Sequence, residues 1–407
     1  GTVTAVTGKG YFVDTTSGGI TVNLPAAAVG SIVAVSDYAS TAASNNIIIS
    51  PNGSDKINAV NDDYTISTAG LAVTLVYADT TRGWKSVTGS DADATGVIPL
   101  FVTATGGNQP TASGCIVCTN YKVHKFTGPG TFCVSQIATC ATNNLASYMV
   151  VAGGGGGGTH EGGGGGGAGG FRELSSPTAP YTASPLDGYP TPGNRITVTA
   201  SPYPIAVGGG GAIAPCTTRG CRGGSSVFSS ITATGGGGGG GHNLTGCTGG
   251  SGGGAGGRCN AAGGAGNTPS TTPAQGFNGG NSKNSPINPD GGGGGGGATA
   301  VGAAGFGPVN PTGGGPGGNG ATTCISATPT AYAGGGGGGK DSDTPNGGPA
   351  GCGGAGGGGN GASNDGTPRV ATVGAINSGG GGGGGANAPN AGKAGGSGIV
   401  YIRYKFQ

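Results

Sequence analysis

Seven nearly pure glycine blocks constrain this chain more than any other feature: residues 153–158, 162–167, 208–211, 235–241, 291–297, 334–339 and 379–385. Residues 1–150 hold 16 of the 105 glycines, which leaves 89 in the remaining 257 residues. A segment that is one-third glycine has almost no side chains from which to build a core. It is either disordered or held together by its backbone. Ordering glycine is costly, at roughly 1–2 kcal/mol of backbone entropy per residue. The compensating structure must therefore use backbone hydrogen bonds almost alone. Polyproline II geometry does this, with three residues per turn, a rise of about 3.1 Å and its N–H and C=O groups pointing outward. Without Cβ atoms such rods can approach closely and pair laterally. Blocks of six or seven residues give rods of about 19–22 Å, and their similar lengths suit one layer of parallel and antiparallel rods. A flexible linker has no need of matched lengths.

The fold class expected is all-β. Residues 1–100 carry β-branched and apolar runs at 11–13, 20–24, 31–37, 46–50, 64–67, 72–77 and 84–87, separated by turn signals such as Ser17-Gly18-Gly19 and Pro51-Asn52-Gly53. Ile47-Ile48-Ile49 breaks strict alternation, which is expected of a strand buried on both faces. Residues 101–120 read as a connector. Residues 121–407 read as a glycine-rich domain bracketed by strands. One runs through Tyr148-Met149-Val150-Val151-Ala152 into the first block. The last places Val400, Ile402, Tyr404 and Phe406 on one face, with Arg403 and Lys405 on the other.

Composition excludes several functions. Charged residues make up only 8% of the chain and the net charge is +2, so no basic footprint for nucleic acid exists. No apolar run approaches the ~20 residues of a membrane-spanning helix. No signal peptide is recognisable, and the start at Gly1 reads as a mature or trimmed product or as the distal part of something longer. Only two glutamates occur, Glu161 and Glu173, a poor basis for carboxylate-pair chemistry, and no enzyme is expected. No helix start follows any glycine block, so phosphate-loop nucleotide binding is rejected and no cofactor is expected. His160 and His242 border glycine blocks and can meet in space, but no metal site is assigned. Ten cysteines (Cys115, Cys118, Cys133, Cys140, Cys216, Cys221, Cys247, Cys259, Cys324 and Cys352) are disulfide candidates in an oxidising final environment, with pairings that sequence cannot assign.

Tyr148-Met149-Val150-Val151-Ala152-Gly153, Gly169-Gly170-Phe171-Arg172-Glu173 and the closing Gly396-Ser397-Gly398-Ile399-Val400-Tyr401-Ile402-Arg403-Tyr404 carry a family resemblance. With Val123-His124-Lys125-Phe126-Thr127-Gly128-Pro129-Gly130-Thr131-Phe132, they resemble the glycine-rich domains of tailed-phage fibre and tip proteins, especially from marine phages. The resemblance covers about residues 115–407. It implies a small β-sandwich from which packed polyglycine-II helices project, and a structural role for Glu173. Residues 1–90 resemble a β-rich module of tail-fibre and baseplate proteins, through Gly30-Ser31-Ile32-Val33-Ala34-Val35-Ser36-Asp37-Tyr38 and Gly83-Trp84-Lys85-Ser86-Val87. This implies an N-terminal attachment module, a homotrimer, other tail proteins as partners and a place on the virion surface.

Specificity is then expected in the loops between rods. Loop 174–195 supplies Tyr181 and Tyr189; loop 267–290 supplies Phe277, Asn281 and Lys283; loop 331–349 supplies Tyr332, Lys340, Asp341 and Asp343. Aromatics interleaved with polar groups on a rigid scaffold suit a host-surface glycan or outer-membrane protein. The alternative is a purely structural virion component, such as a capsid decoration, baseplate or filament subunit.

Overall fold

The computed structural model describes residues 1–87, 100–108, 111–213, 218–257, 260–283, 291–306, 313–340, 348–364, 369–387 and 390–407. The fold is all-β, with only two short 3-10 turns and no α-helix among the described residues. It divides into Gly1–Leu100 and Phe101–Gln407.

The first unit holds β1 (Thr2–Thr4), β2 (Lys9–Val13), β3 (Ile20–Asn23), β4 (Ile32–Asp37), β5 (Ile47–Ser50), β6 (Tyr64–Ile66), β7 (Ala72–Asp79) and β8 (Gly83–Ser86). Two four-stranded sheets form, in the orders β1-β3-β5-β6 and β2-β4-β7-β8. The chain alternates between them up to β5, so β1/β3, β3/β5 and β2/β4 pair in parallel. Val22, Val33, Val35, Ile47, Ile49, Ile66, Leu75 and Trp84 share one core. Ile47 and Ile49 are buried and Ile48 is half-buried, so the isoleucine run keeps its alternation and is not buried on both faces. β-branched residues with a pleat period of two fill one face whatever stands between them.

The second unit contains β9 (Thr103–Thr105), β10 (Cys115–Val117), β11 (Tyr121–Phe126), β12 (Gly130–Gln136), β13 (Leu145–Val151), β14 (Phe171–Leu174), β15 (Ile196–Thr197), β16 (Pro202–Ala206), β17 (Ser226–Phe228), β18 (Ile231–Ala233), β19 (Ala321–Thr323), β20 (Thr330–Tyr332) and β21 (Ile399–Lys405). One sheet runs β10-β11-β21-β13-β14, with β15 also on β13; a second runs β18-β17-β16-β12-β9; β19 and β20 form a hairpin. Within the stretch read as a connector, β9 and β10 are edge strands of the two sheets. Phe126, Tyr148, Val150, Val400, Ile402 and Tyr404 of the first sheet meet Phe132, Val134, Ile205 and Phe228 of the second in a sandwich core. The other face of β21 is covered too. Arg403 is buried there, its guanidinium 4.6 Å from the Tyr121 ring and donating to the carbonyls of Pro180 and Ile325.

From this sandwich the glycine blocks project as rods, and their hydrogen bonds define their geometry. Gly153 and Gly156 donate to the carbonyls of Gly224 and Cys221, Gly154 and Gly157 to those of Gly396 and Lys393, and Gly155 and Gly158 to those of Gly167 and Gly164. The acceptor rod changes with each residue and recurs after three, as a threefold polyproline-II helix requires. Acceptor numbers fall as donor numbers rise, so these neighbours are antiparallel. Gly165 and Ala168 donate to Gly293 and Gly296, so rod 291–297 runs parallel to them. Within the seven blocks only Gly162 and Gly379, at rod starts, take positive φ.

The rods form a bundle, not one layer. Rod 163–168 donates to rods 235–241, 291–297 and 380–385 and accepts from rods 153–158, 251–256 and 334–339, which surround it on six sides. Three donors and three acceptors per turn point in six directions, and a layer would leave most of them unpaired. Rods also form outside the pure blocks. In 220–224 and 300–305, Gly220, Gly302 and Gly305 are buried, whereas Cys221, Arg222 and Val301 are exposed. A rod at the bundle surface needs glycine only where it faces inward.

Each rod residue loses about 1–2 kcal/mol of backbone entropy and regains about 1 kcal/mol net from its hydrogen bond. Dispersion between backbones in contact supplies the remainder. That contact requires the missing side chain: a Cβ on Gly165 would stand 2.1 Å from the Gly336 carbonyl oxygen.

Candidate functional site

The direction of each rod determines where every connecting turn lies. Rod 153–158 leaves β13, turns at residues 159–162, and returns as rod 163–168 into β14. Alternation continues through the unit. Turn 242–245 and residues 386–387 and 390–391 therefore lie at the far end, whereas 171–207, 225–234, 266–275 and 319–333 belong to the sandwich end. Hydrogen bonds between turns agree with this division. At the far end, Gly257 donates to Gly162 and Asn243 to Gly257, and the Asn364 side chain donates to the Asn387 carbonyl. At the sandwich end, Gly170 donates to Thr234, Asn267 to Gly250 and Ala298 to Ala333.

The loop residues expected to carry recognition lie at both ends. Tyr181, Tyr189, Phe277 and Tyr332 lie at the sandwich end. Tyr181 is half-buried, and its hydroxyl donates to the Leu174 carbonyl at 3.2 Å. Burial, then the nearby Glu173 carboxylate, pushes its phenol well above the ordinary range. Tyr189 packs on the sandwich core, with the Arg195 guanidinium 4.4 Å above its ring. Phe277 is a rod residue, bonded through its backbone to Gly252 and Gly297. Tyr332 is buried in β20, its ring 6.3 Å from that of Tyr401.

Asn281 and Lys283 are exposed at the far end. Lys340 is fully buried there, its amide donating to Ala362, so it presents no charge to a receptor. Its position directly after rod 334–339 places it inside the lattice. Asp341 and Asp343 lie outside the described residues. Far-end residues that the sequence reading did not select are Asn243, Asn260 and Phe306, all exposed, with Phe306 at 51%.

Glu173 organises the sandwich end from within. One carboxylate oxygen accepts the amide of Ser184 at 2.9 Å and its hydroxyl, and the other accepts the Thr323 hydroxyl. Burial raises its pKa, opposed by those hydrogen bonds. His124 is buried as well. Its Nδ1 lies 2.6 Å from the Gly106 carbonyl and its Nε2 3.1 Å from the Tyr404 hydroxyl, and burial lowers its pKa. Both are enclosed packing groups that no substrate can reach.

The cysteines stand unpaired where they are described. Cys115, Cys118, Cys133, Cys140, Cys221, Cys247, Cys324 and Cys352 are free thiols, half-buried or exposed. Cys216 and Cys259 lie outside the described residues.

At the far end the chain also brings together His160, Glu161 and His242. Glu161 Oε2 is 2.7 Å from His242 Nδ1, Glu161 Oε1 is 3.8 Å from His160 Nδ1, and the imidazole centroids are 6.1 Å apart. This is the one His/Cys/Asp/Glu group among the described residues with metal-ligand spacing. Its members come from two separate turns, 82 positions apart at the extremes (242 − 160); the sequence allowed the two histidines to meet, and the folded bundle adds Glu161 between them.

No helix among the described residues is long and apolar enough to cross a membrane. Comparison with curated proteins finds no match. The model of a family described as a glycine-rich domain matches residues 127–405, from the turn between β11 and β12 to the end of β21, and the chain belongs to that family.

Proposed function

We propose that the chain is a virion tail-fibre or tail-tip protein that recognises a host-surface glycan or outer-membrane protein through the far-end turns of its rod bundle. The observation that carries this reading is the division of the turns. The sandwich-end aromatics Tyr181, Tyr189 and Tyr332 are engaged in packing, whereas the far-end turns expose Asn243, Asn260, Lys283 and Phe306 on a backbone lattice. Polar amides, a cation and an aromatic ring held without side-chain entropy cost below them suit glycan or protein recognition. Binding is non-covalent, and the N-terminal unit would serve attachment within a homotrimer on the virion.

The test is adsorption of particles carrying the combined substitutions Asn243→Ala, Asn260→Ala, Lys283→Ala and Phe306→Ala, compared with Tyr189→Phe at the sandwich end. Loss of adsorption by the far-end variant alone supports the reading. Unchanged adsorption by a correctly assembled far-end variant would leave a structural virion component as the answer.

A further inference from the structure

We propose that His160, Glu161 and His242 form a binding site for a zinc-class divalent ion that ties two far-end turns of the bundle together. The site is independent of receptor recognition and rests on its own geometry. Each residue offers one ligand atom, and all three atoms lie within 4.8 Å of one another. Tetrahedral zinc with bonds of about 2.1 Å needs ligand atoms about 3.4 Å apart. The 3.8 Å separation of His160 Nδ1 from Glu161 is close to that, and the 2.7 Å approach of His242 Nδ1 has only to open slightly.

A second observation concerns those nitrogens. Nδ1 of His160 and Nδ1 of His242 are both shut off from solvent, and neither makes a hydrogen bond. The 2.7 Å contact with Glu161 is thus an ion-pair approach lacking hydrogen-bond alignment. Buried polar atoms without partners are costly, and a cation placed among them would satisfy both. The side chains themselves keep 40%, 23% and 21% of their surface for His160, Glu161 and His242, so an ion can enter from solvent.

The backbone is committed to the same convergence. His160, Glu161 and Gly162 take φ of 70°, 29° and 69° in succession. Glycine is the residue that adopts such angles freely, at a cost of about 1–3 kcal/mol for others. In a chain with 105 glycines, this left-handed turn nevertheless carries histidine and glutamate. Gly257, bonded to both Gly162 and Asn243, holds the two turns side by side before any ion arrives.

Ligand chemistry selects the ion. Two imidazoles and one carboxylate suit zinc and its transition-metal neighbours. Calcium and magnesium prefer sites made wholly of oxygen. Three protein ligands leave a fourth position for water.

The experiment uses the full chain with its thiols alkylated, because ten cysteines would otherwise bind zinc themselves. Zinc is titrated in competition with a chromophoric chelator, and cobalt(II) substitution reports the ligands by absorption. One zinc per chain is expected, with cobalt d–d bands and no thiolate charge-transfer band. His160→Ala and His242→Ala should each weaken zinc at least about 100-fold, and Glu161→Gln about 10-fold. If a variant fails to fold, the unsubstituted chain still decides the matter. Zinc should protect His160 and His242, but not exposed lysines, from acylation mapped by mass spectrometry. No zinc retained after alkylation, or no protection of the two histidines, overturns the site and leaves an ion-pair cluster.

Discussion

The sandwich and the rod bundle adjoin within one unit and are stabilised in opposite ways. Phe228 is fully buried in the sandwich, its ring 6.3 Å from Phe132 and 5.9 Å from Tyr148, in edge-to-face arrangements. Side-chain shape sets the packing there, as in most protein cores. In the bundle the backbone itself is the packed surface, and amide direction sets the register. Glycine in a rod is thus a packing residue in the sense that phenylalanine is in the sandwich. The two regions should fail in opposite directions: the sandwich when atoms are removed, the bundle when one is added.

The largest effect follows from adding one carbon. Gly165→Ala places a methyl 2.1 Å from the Gly336 carbonyl oxygen, with the Gly336 carbonyl carbon at 2.5 Å. No side chain can rotate away, so a backbone lattice closed on six sides must shift. We expect a loss of at least about 5 kcal/mol, beyond the range of ordinary overpacking. Rapid proteolysis between residues 153 and 396, in a chain whose sandwich-end segments survive, would be the signature. A melting transition close to that of the unsubstituted chain would break the comparison.

The complementary change removes atoms from the sandwich. Phe228→Ala leaves a cavity among Phe132, Tyr148 and Tyr203, and a cost of about 4 kcal/mol is expected. Equilibrium unfolding in denaturant measures it. Unlike the glycine substitution, it should leave the rods protease-resistant until the sandwich itself melts. Simultaneous loss of both would show that rods and sandwich unfold as one cooperative body.

Much of this was legible in the sequence, in proportion to how local the signal was. Pure glycine runs announced rods, and the alternation of Val400, Ile402 and Tyr404 announced a core strand. Surface rods such as 220–224 and 300–305 were hidden, because only their inward positions need be glycine and Cys221, Arg222 or Val301 disguise the rest. The division of loops between two ends depends on counting rods, including those hidden ones, so the sequence alone did not reveal that Tyr181 and Tyr332 lie at the opposite end from Lys283. Lys340 misled for a simpler reason: lysine is almost never fully buried. The meeting of His160 with His242 required knowing that rods 153–158 and 235–241 run parallel and end together, a long-range fact written in hydrogen-bond register and not in spacing.

The smallest effect tests whether glycine is needed for packing or merely for composition. A Cβ on Gly209 would meet nothing within 4 Å, and its φ does not lie in the left-handed region. Its carbonyl accepts from Gly224, a bond that alanine retains. The only remaining difference is the greater freedom of glycine in the unfolded chain. Gly209→Ala should therefore stabilise the unit by about 0.5 kcal/mol, read as a small rise in the unfolding midpoint. Destabilisation by more than about 1 kcal/mol would mean that this open side of the rod is covered in solution. A second copy of the chain would be that cover if the same substitution also lowered the measured oligomer mass.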